Sequence, residues 1–101
     1  MPQRIEVEKT AEGAFRVRVI DGASETSHRV TVQRDYCARV AGGKLEPQEL
    51  VRKSFEFLLE REPKESILAR FDLQVIPRYF PEYEREIKRR LQAWKDRPAA
   101  G

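Results

Sequence analysis

Two alternating runs near the N-terminus, Arg4–Lys9 and Ala14–Ile20, constrain the fold most strongly. In each run polar and apolar residues take turns, which is the period of a strand with one buried face. Glu12-Gly13 lies between the runs and supplies a tight turn. The apolar positions are Ile5 and Val7 in the first run, and Phe15, Val17 and Val19 in the second. The pattern predicts a β-hairpin.

Charge pairing predicts the register of this hairpin. Aligning the apolar positions pairs Ile5 with Val19 and Val7 with Val17. On the opposite face, Glu6 then lies across from Arg18, and Glu8 across from Arg16. Because opposite charges meet across the solvent-facing side, the local pattern and the register agree.

A third strand is predicted at Thr26–Gln33, after a turn at Asp21–Ser24. One face of this strand carries His28, Val30 and Val32. The other face carries Arg29, Thr31 and Gln33. The first third of the chain is therefore expected to form a three-stranded antiparallel meander.

Helices are expected to follow the meander. Asp35 is a candidate N-cap for a short helix that Gly42-Gly43 ends, and Pro47 suits the first turn of the next. That second helix is predicted over Pro47–Arg61, with an apolar stripe at Leu50, Val51, Ser54, Phe55, Leu58 and Leu59. Further turns over Lys64–Phe71 and a bent connector over Leu73–Phe80 lead to a last helix from Pro81. That helix aligns Tyr83, Ile87, Leu91 and Trp94.

These elements predict an α+β fold with three to four helices. We expect one domain over residues 1–95, with strands over about 4–33 and helices over about 34–95, and a disordered tail over 96–101. The 101 residues carry a formal charge of only +3, with acidic and basic residues interleaved. This balance permits a local basic patch but does not require one.

Catalytic and metal-binding candidates are few. Cys37 and His28 are the single cysteine and the single histidine, so we expect no intrachain disulfide, no zinc cluster and no cofactor. His28 is expected to be a hydrogen-bonded core or boundary residue, and Cys37 a small packed hydrophobe. An enzyme is therefore not expected. The absence of a signal-like or membrane-spanning run predicts a cytoplasmic protein without a membrane partner.

The middle of the chain resembles the ribbon-helix-helix family. The resemblance covers the strand His28–Gln33, the short helix from Asp35, the stop at Gly42-Gly43 and the helix Pro47–Arg61. In that family a short strand pairs with its twin in a dimer, and two helices follow. The resemblance implies a small homodimeric DNA-binding transcriptional regulator or antitoxin-like protein. It covers about a third of the chain.

Carried over by position, the resemblance implies specific DNA contacts. Arg29, Thr31 and Gln33 would read bases in the major groove, and Gln48 would lie beside phosphate. The preceding hairpin departs from the family pattern. If it joined the same sheet in a dimer, six strands at ~4.8 Å spacing would be too wide for a groove of ~12 Å.

A second interpretation needs no duplex DNA. Arg16, Arg18 and Arg29 would cluster on the outer face of a meander, offset only by Glu6 and Glu8. Such a basic patch suits RNA or an acidic protein surface. A non-enzymatic accessory role is a further alternative, with the aligned face of the C-terminal helix as a site for a protein partner.

Overall fold

The structure is a computed structural model that describes residues 3–42 and 46–95, with the backbone only for residues 91–95. Three antiparallel strands open the chain: β1 (Arg4–Ala11), β2 (Ala14–Asp21) and β3 (Ser24–Thr31). The hairpin register is confirmed, since Ile5 pairs with Val19, Val7 with Val17, Glu6 with Arg18 and Glu8 with Arg16. Thus the α+β class and the antiparallel start were both predictable from the sequence.

Two glycines make the turns of this meander. Gly13 has a φ of 73° and Gly22 a φ of 64°, values that side-chain-bearing residues rarely adopt. Gly13 is also crowded, because a Cβ there would lie 3.1 Å from the carbonyl oxygen of Val32. The Gly13 carbonyl accepts a hydrogen bond from the Val32 amide at 2.9 Å, which joins the first turn to the end of β3.

Four helices follow β3 in the described part of the chain: α1 (Arg34–Ala41), α2 (Pro47–Leu59), α3 (Ile76–Tyr79) and α4 (Tyr83–Lys95). The third strand ends at Thr31, and Gln33 rather than Asp35 occupies the N-cap of α1. Asp35 lies in the first helical turn, where its charge suits the helix dipole. Gly42 ends α1 in the left-handed conformation as expected, whereas Gly43 lies outside the described residues.

The expectation of a three-stranded sheet is wrong. A short strand, β4 (Arg70–Asp72), pairs in parallel with β3, so the order in the four-stranded sheet is β1-β2-β3-β4. Two 3₁₀ turns flank β4, at Lys64–Ser66 and Leu73–Val75. Three residues are too short a run for alternation to be recognised, which is why the sequence favoured turns in this region.

The core lies between one face of the sheet and the helices. The apolar stripe of α2 packs onto the inner face of the meander, and Tyr83 and Ile87 of α4 cover it from the other side. Phe57, which the predicted stripe omitted, is also fully buried, between Phe80 and Tyr83. The side chains of Leu91 and Trp94 and the predicted tail over 96–101 lie outside what the structure describes.

Candidate functional site

The outer face of the sheet is exposed and carries three arginines side by side. Arg16 on β2 lies opposite Arg29 on β3, and Arg29 lies opposite Arg70 on β4. All three side chains are solvent-exposed. Since neighbouring strands are ~4.8 Å apart, the three Cα atoms span about 10 Å. We call these three residues the arginine row.

Little negative charge offsets this row. Arg16 lies 3.8 Å from Glu8, and both side chains are well exposed, so the pair is weak. Neither Arg29 nor Arg70 forms an ion pair with any residue in the described ranges. Adjacent guanidinium groups repel one another, and an anion bound across them relieves that repulsion. The row is therefore a local centre of positive charge on a chain of small net charge.

Arg18, predicted to belong to the basic patch, is already neutralised. Its Nε and Nη2 atoms donate to Glu25 at 2.7 and 3.1 Å, and its Nη1 donates to Glu6 at 2.9 Å. The hydrogen bond from Arg18 holds the pKa of the Glu25 carboxyl below its usual range. Arg18 thus serves as a cross-strand link between β1, β2 and β3.

A groove of about 590 Å³ runs beside the arginine row. Thr31 and Asp72 line it together with the three arginines. The Thr31 hydroxyl donates to Asp72 Oδ2 at 2.8 Å, and Asp72 Oδ1 accepts from the Gln74 amide at 2.9 Å. The groove therefore combines guanidinium donors with one fixed carboxylate.

The residues implied by the family resemblance do not form one cluster. Arg29 and Thr31 share the outer face, two positions apart on β3. Gln33 lies beyond the end of that strand, at the N-cap of α1. Gln48 lies at the opposite edge of the sheet from β4, where its amide donates to the Val7 carbonyl at 3.1 Å.

β3 also lacks the exposed edge that a ribbon needs. It is hydrogen-bonded to β2 along one edge, and β4 pairs with its other edge at Arg29–Thr31, so a twin strand cannot pair with those residues. The α2 stripe that would form a dimer core is buried inside the single chain, with Leu50, Val51 and Phe55 fully inaccessible. This geometry does not match the ribbon-helix-helix arrangement, although the order strand-helix-helix is present.

His28 is a structural residue, as the sequence indicated. It is 2% exposed, lies against Phe55, and hydrogen-bonds through both ring nitrogens. Nδ1 lies 2.8 Å from the Leu68 carbonyl oxygen, so Nδ1 is the donor in that contact. Nε2 lies 2.9 Å from the Thr26 hydroxyl. His28 thus holds the segment that enters β4 against β3.

Cys37 is also buried, in the core between α1 and its neighbours. Burial, with a smaller contribution from Glu46, raises the pKa of its thiol. A raised thiol pKa works against a reactive thiolate. Within residues 3–42 and 46–95, no group of three histidine, cysteine, aspartate or glutamate side chains is arranged to hold a metal ion.

Arg70 is the functional candidate that the sequence did not reveal. Its position in the row depends on β4, and the parallel pairing of β4 joins residues about forty positions apart. The alternation Arg70-Phe71-Asp72, with Phe71 buried, is the only local signal of that strand.

Of the helices described, none has the length and apolar character to cross a membrane. Comparison of the chain with protein-family models, curated proteins and solved structures finds no match.

Proposed function

We propose that this protein is a non-enzymatic nucleic-acid-binding module that contacts the phosphate backbone of a single strand through the outer face of its sheet. The observation that carries the proposal is the arginine row, in which Arg29 and Arg70 lie side by side without an ion pair to any described residue. The planar guanidinium fork is well suited to phosphate, since it donates two parallel hydrogen bonds.

The shape of the surface favours a single strand over the major groove of a duplex. Between the outer strand axes the four strands span about 14 Å, which exceeds the ~12 Å width of the groove. No aromatic side chain lies on the outer face in the described ranges, because Phe15 and Phe71 are both turned into the core. Binding would therefore rest on phosphate contacts, with guanidinium planes as the surfaces on which bases stack.

A dimeric DNA-binding regulator or antitoxin-like protein is the second candidate. The order β3-α1-α2 and the resemblance of the α2 sequence to the family's second helix support it. The pairing of Arg29–Thr31 with β2 on one side and β4 on the other weighs against ribbon-type base reading. In this candidate the arginine row would contact duplex phosphates, and dimerisation would need a surface other than the buried α2 stripe.

The test is a salt series of fluorescence anisotropy with a labelled single-stranded decamer, and with a duplex of the same length in parallel. Each phosphate contact to a single strand contributes about 0.7 to the slope of log K against log salt. Three row contacts predict a slope of about −2, and the Arg29→Ala/Arg70→Ala double variant about −0.7. The single variant Arg29→Ala should give a slope of about −1.4. Arg78→Ala removes one exposed arginine on α3, outside the sheet, and is the charge-matched control for that single variant.

Different results separate the candidates. Binding that depends on Arg29 and Arg70 but not on Arg78 supports the proposal. Tighter binding of the duplex than of the single strand supports the regulator. If neither nucleic acid binds at low salt, the proposal is wrong, and an acidic protein surface becomes the partner to seek.

A further inference from the structure

Asp72 is out of place on a surface that binds only phosphate. It lies two positions after Arg70 on β4 and lines the same groove as the arginine row. A carboxylate there repels phosphate and weakens the attraction of its arginine neighbours. Asp72 caps the 3₁₀ turn Leu73–Val75, and its carboxylate also gives the groove an acceptor that a neutral hydroxyl donor can use.

The carboxylate is fixed in position and retains accepting capacity. The Thr31 hydroxyl bonds to Oδ2 and the Gln74 amide bonds to Oδ1, at 2.8 and 2.9 Å. A carboxylate offers about four lone-pair sites, so these two bonds leave each oxygen able to accept another. Asp72 is half-buried and lines the groove.

Resting on the function proposed above, we infer that the bound strand is RNA and that Asp72 selects it by accepting a hydrogen bond from a ribose 2′-hydroxyl. Carboxylates recognise ribose hydroxyls in this way, and the 2′-hydroxyl is the group that distinguishes RNA from DNA. The row holds the phosphate while Asp72, on the adjacent position of the same face, meets the sugar. DNA offers the carboxylate no donor and leaves only its repulsion.

The experiment compares oligo(U), oligo(dU) and 2′-O-methyl oligo(U) decamers by anisotropy at one fixed salt concentration. A single hydrogen bond to a partly exposed carboxylate predicts about fivefold tighter binding of oligo(U) than of oligo(dU). The methylated strand has no 2′ donor, so it should bind like oligo(dU).

Two variants locate the selection. Asp72→Ala removes both the charge and the acceptor, so oligo(dU) should bind more tightly and the RNA preference should fall to less than twofold. Asp35→Ala removes one exposed carboxylate on α1, away from the groove, so the preference should persist. Circular dichroism of both variants verifies that they are folded.

The outcomes for the two proposals are distinguishable. If oligo(U) and oligo(dU) bind equally and both depend on Arg29 and Arg70, the nucleic-acid function stands and the assignment of Asp72 is overturned. An RNA preference that survives in Asp72→Ala also overturns the assignment. If none of the three strands binds, both proposals fail together.

Discussion

Replacing His28 with phenylalanine tests how the fold holds β4, and therefore Arg70, in place. The substitution keeps a ring of similar size against Phe55 but removes both ring nitrogens. Two hydrogen bonds are lost, one to the Leu68 carbonyl and one to the Thr26 hydroxyl. At about 1 kcal/mol each, the expected loss in the free energy of unfolding is about 2 kcal/mol.

The assay is urea unfolding followed by circular dichroism, with the slope of free energy against denaturant unchanged. For a domain of this size, a loss of 2 kcal/mol corresponds to a fall in melting temperature of about 10 °C. Thr26→Val removes one of the two bonds and should cost about half as much. Amide hydrogen exchange in Arg70–Asp72 should accelerate more than in β1, because Leu68, just before β4, loses its hydrogen bond to residue 28.

A loss below about 0.5 kcal/mol in His28→Phe would show that the two hydrogen bonds of His28 contribute no net stability. Uniform acceleration of amide exchange across the whole sheet would contradict the claim that His28 specifically attaches β4 to β3. In that case His28 would stabilise the fold as a whole rather than the attachment of β4.

Three further predictions concern the core and the turns. Phe57→Ala should cost about 3–5 kcal/mol in thermal or urea unfolding, because Phe57 is fully buried. Burial raises the pKa of Tyr83. The phenol therefore ionises near pH 10 in the unfolded chain but not in the folded one. The free energy of unfolding should fall as the pH rises above about 10. Tyr83→Phe should lessen that fall, and an unchanged pH profile would contradict the argument. Gly13→Ala should destabilise by more than the ~1–2 kcal/mol of a left-handed alanine, and by more than Gly22→Ala, whose Cβ would meet nothing within 4 Å.

Local pattern was sufficient to predict the hairpin and the main helix. Alternation, an intervening glycine turn and complementary charges determine the pairing of Ile5 with Val19 without any long-range information. The start of α2 at Pro47 was equally visible, because proline suits the first helical turn. The buried roles of His28 and Cys37 followed from their placement among apolar residues.

The site was only partly predictable, because it depends on pairing between distant segments. Arg16 and Arg29 were recognised as outer-face residues, but Arg70 joins them only through the parallel pairing of β4. Arg18 was predicted to belong to the basic patch, but its guanidinium group is neutralised by Glu25 on β3. The sequence interpretation considered only Glu6 and Glu8 as acidic partners on this face. The spacing of apolar residues within a segment does not indicate which distant strand it pairs with, so the pairing of β4 with β3 could not be predicted.

The most direct test of the central claim is a titration of ¹⁵N-labelled protein with unlabelled oligo(U), followed by amide and arginine Nε–H chemical shifts. If the outer face of the sheet binds nucleic acid, the largest changes should cluster at Arg16, Arg29, Thr31 and Arg70, whereas Arg78 and the helices α1 and α2 should change little. Changes confined to the helices, or no changes at saturating oligo(U), would contradict the claim that the outer face of the sheet binds nucleic acid.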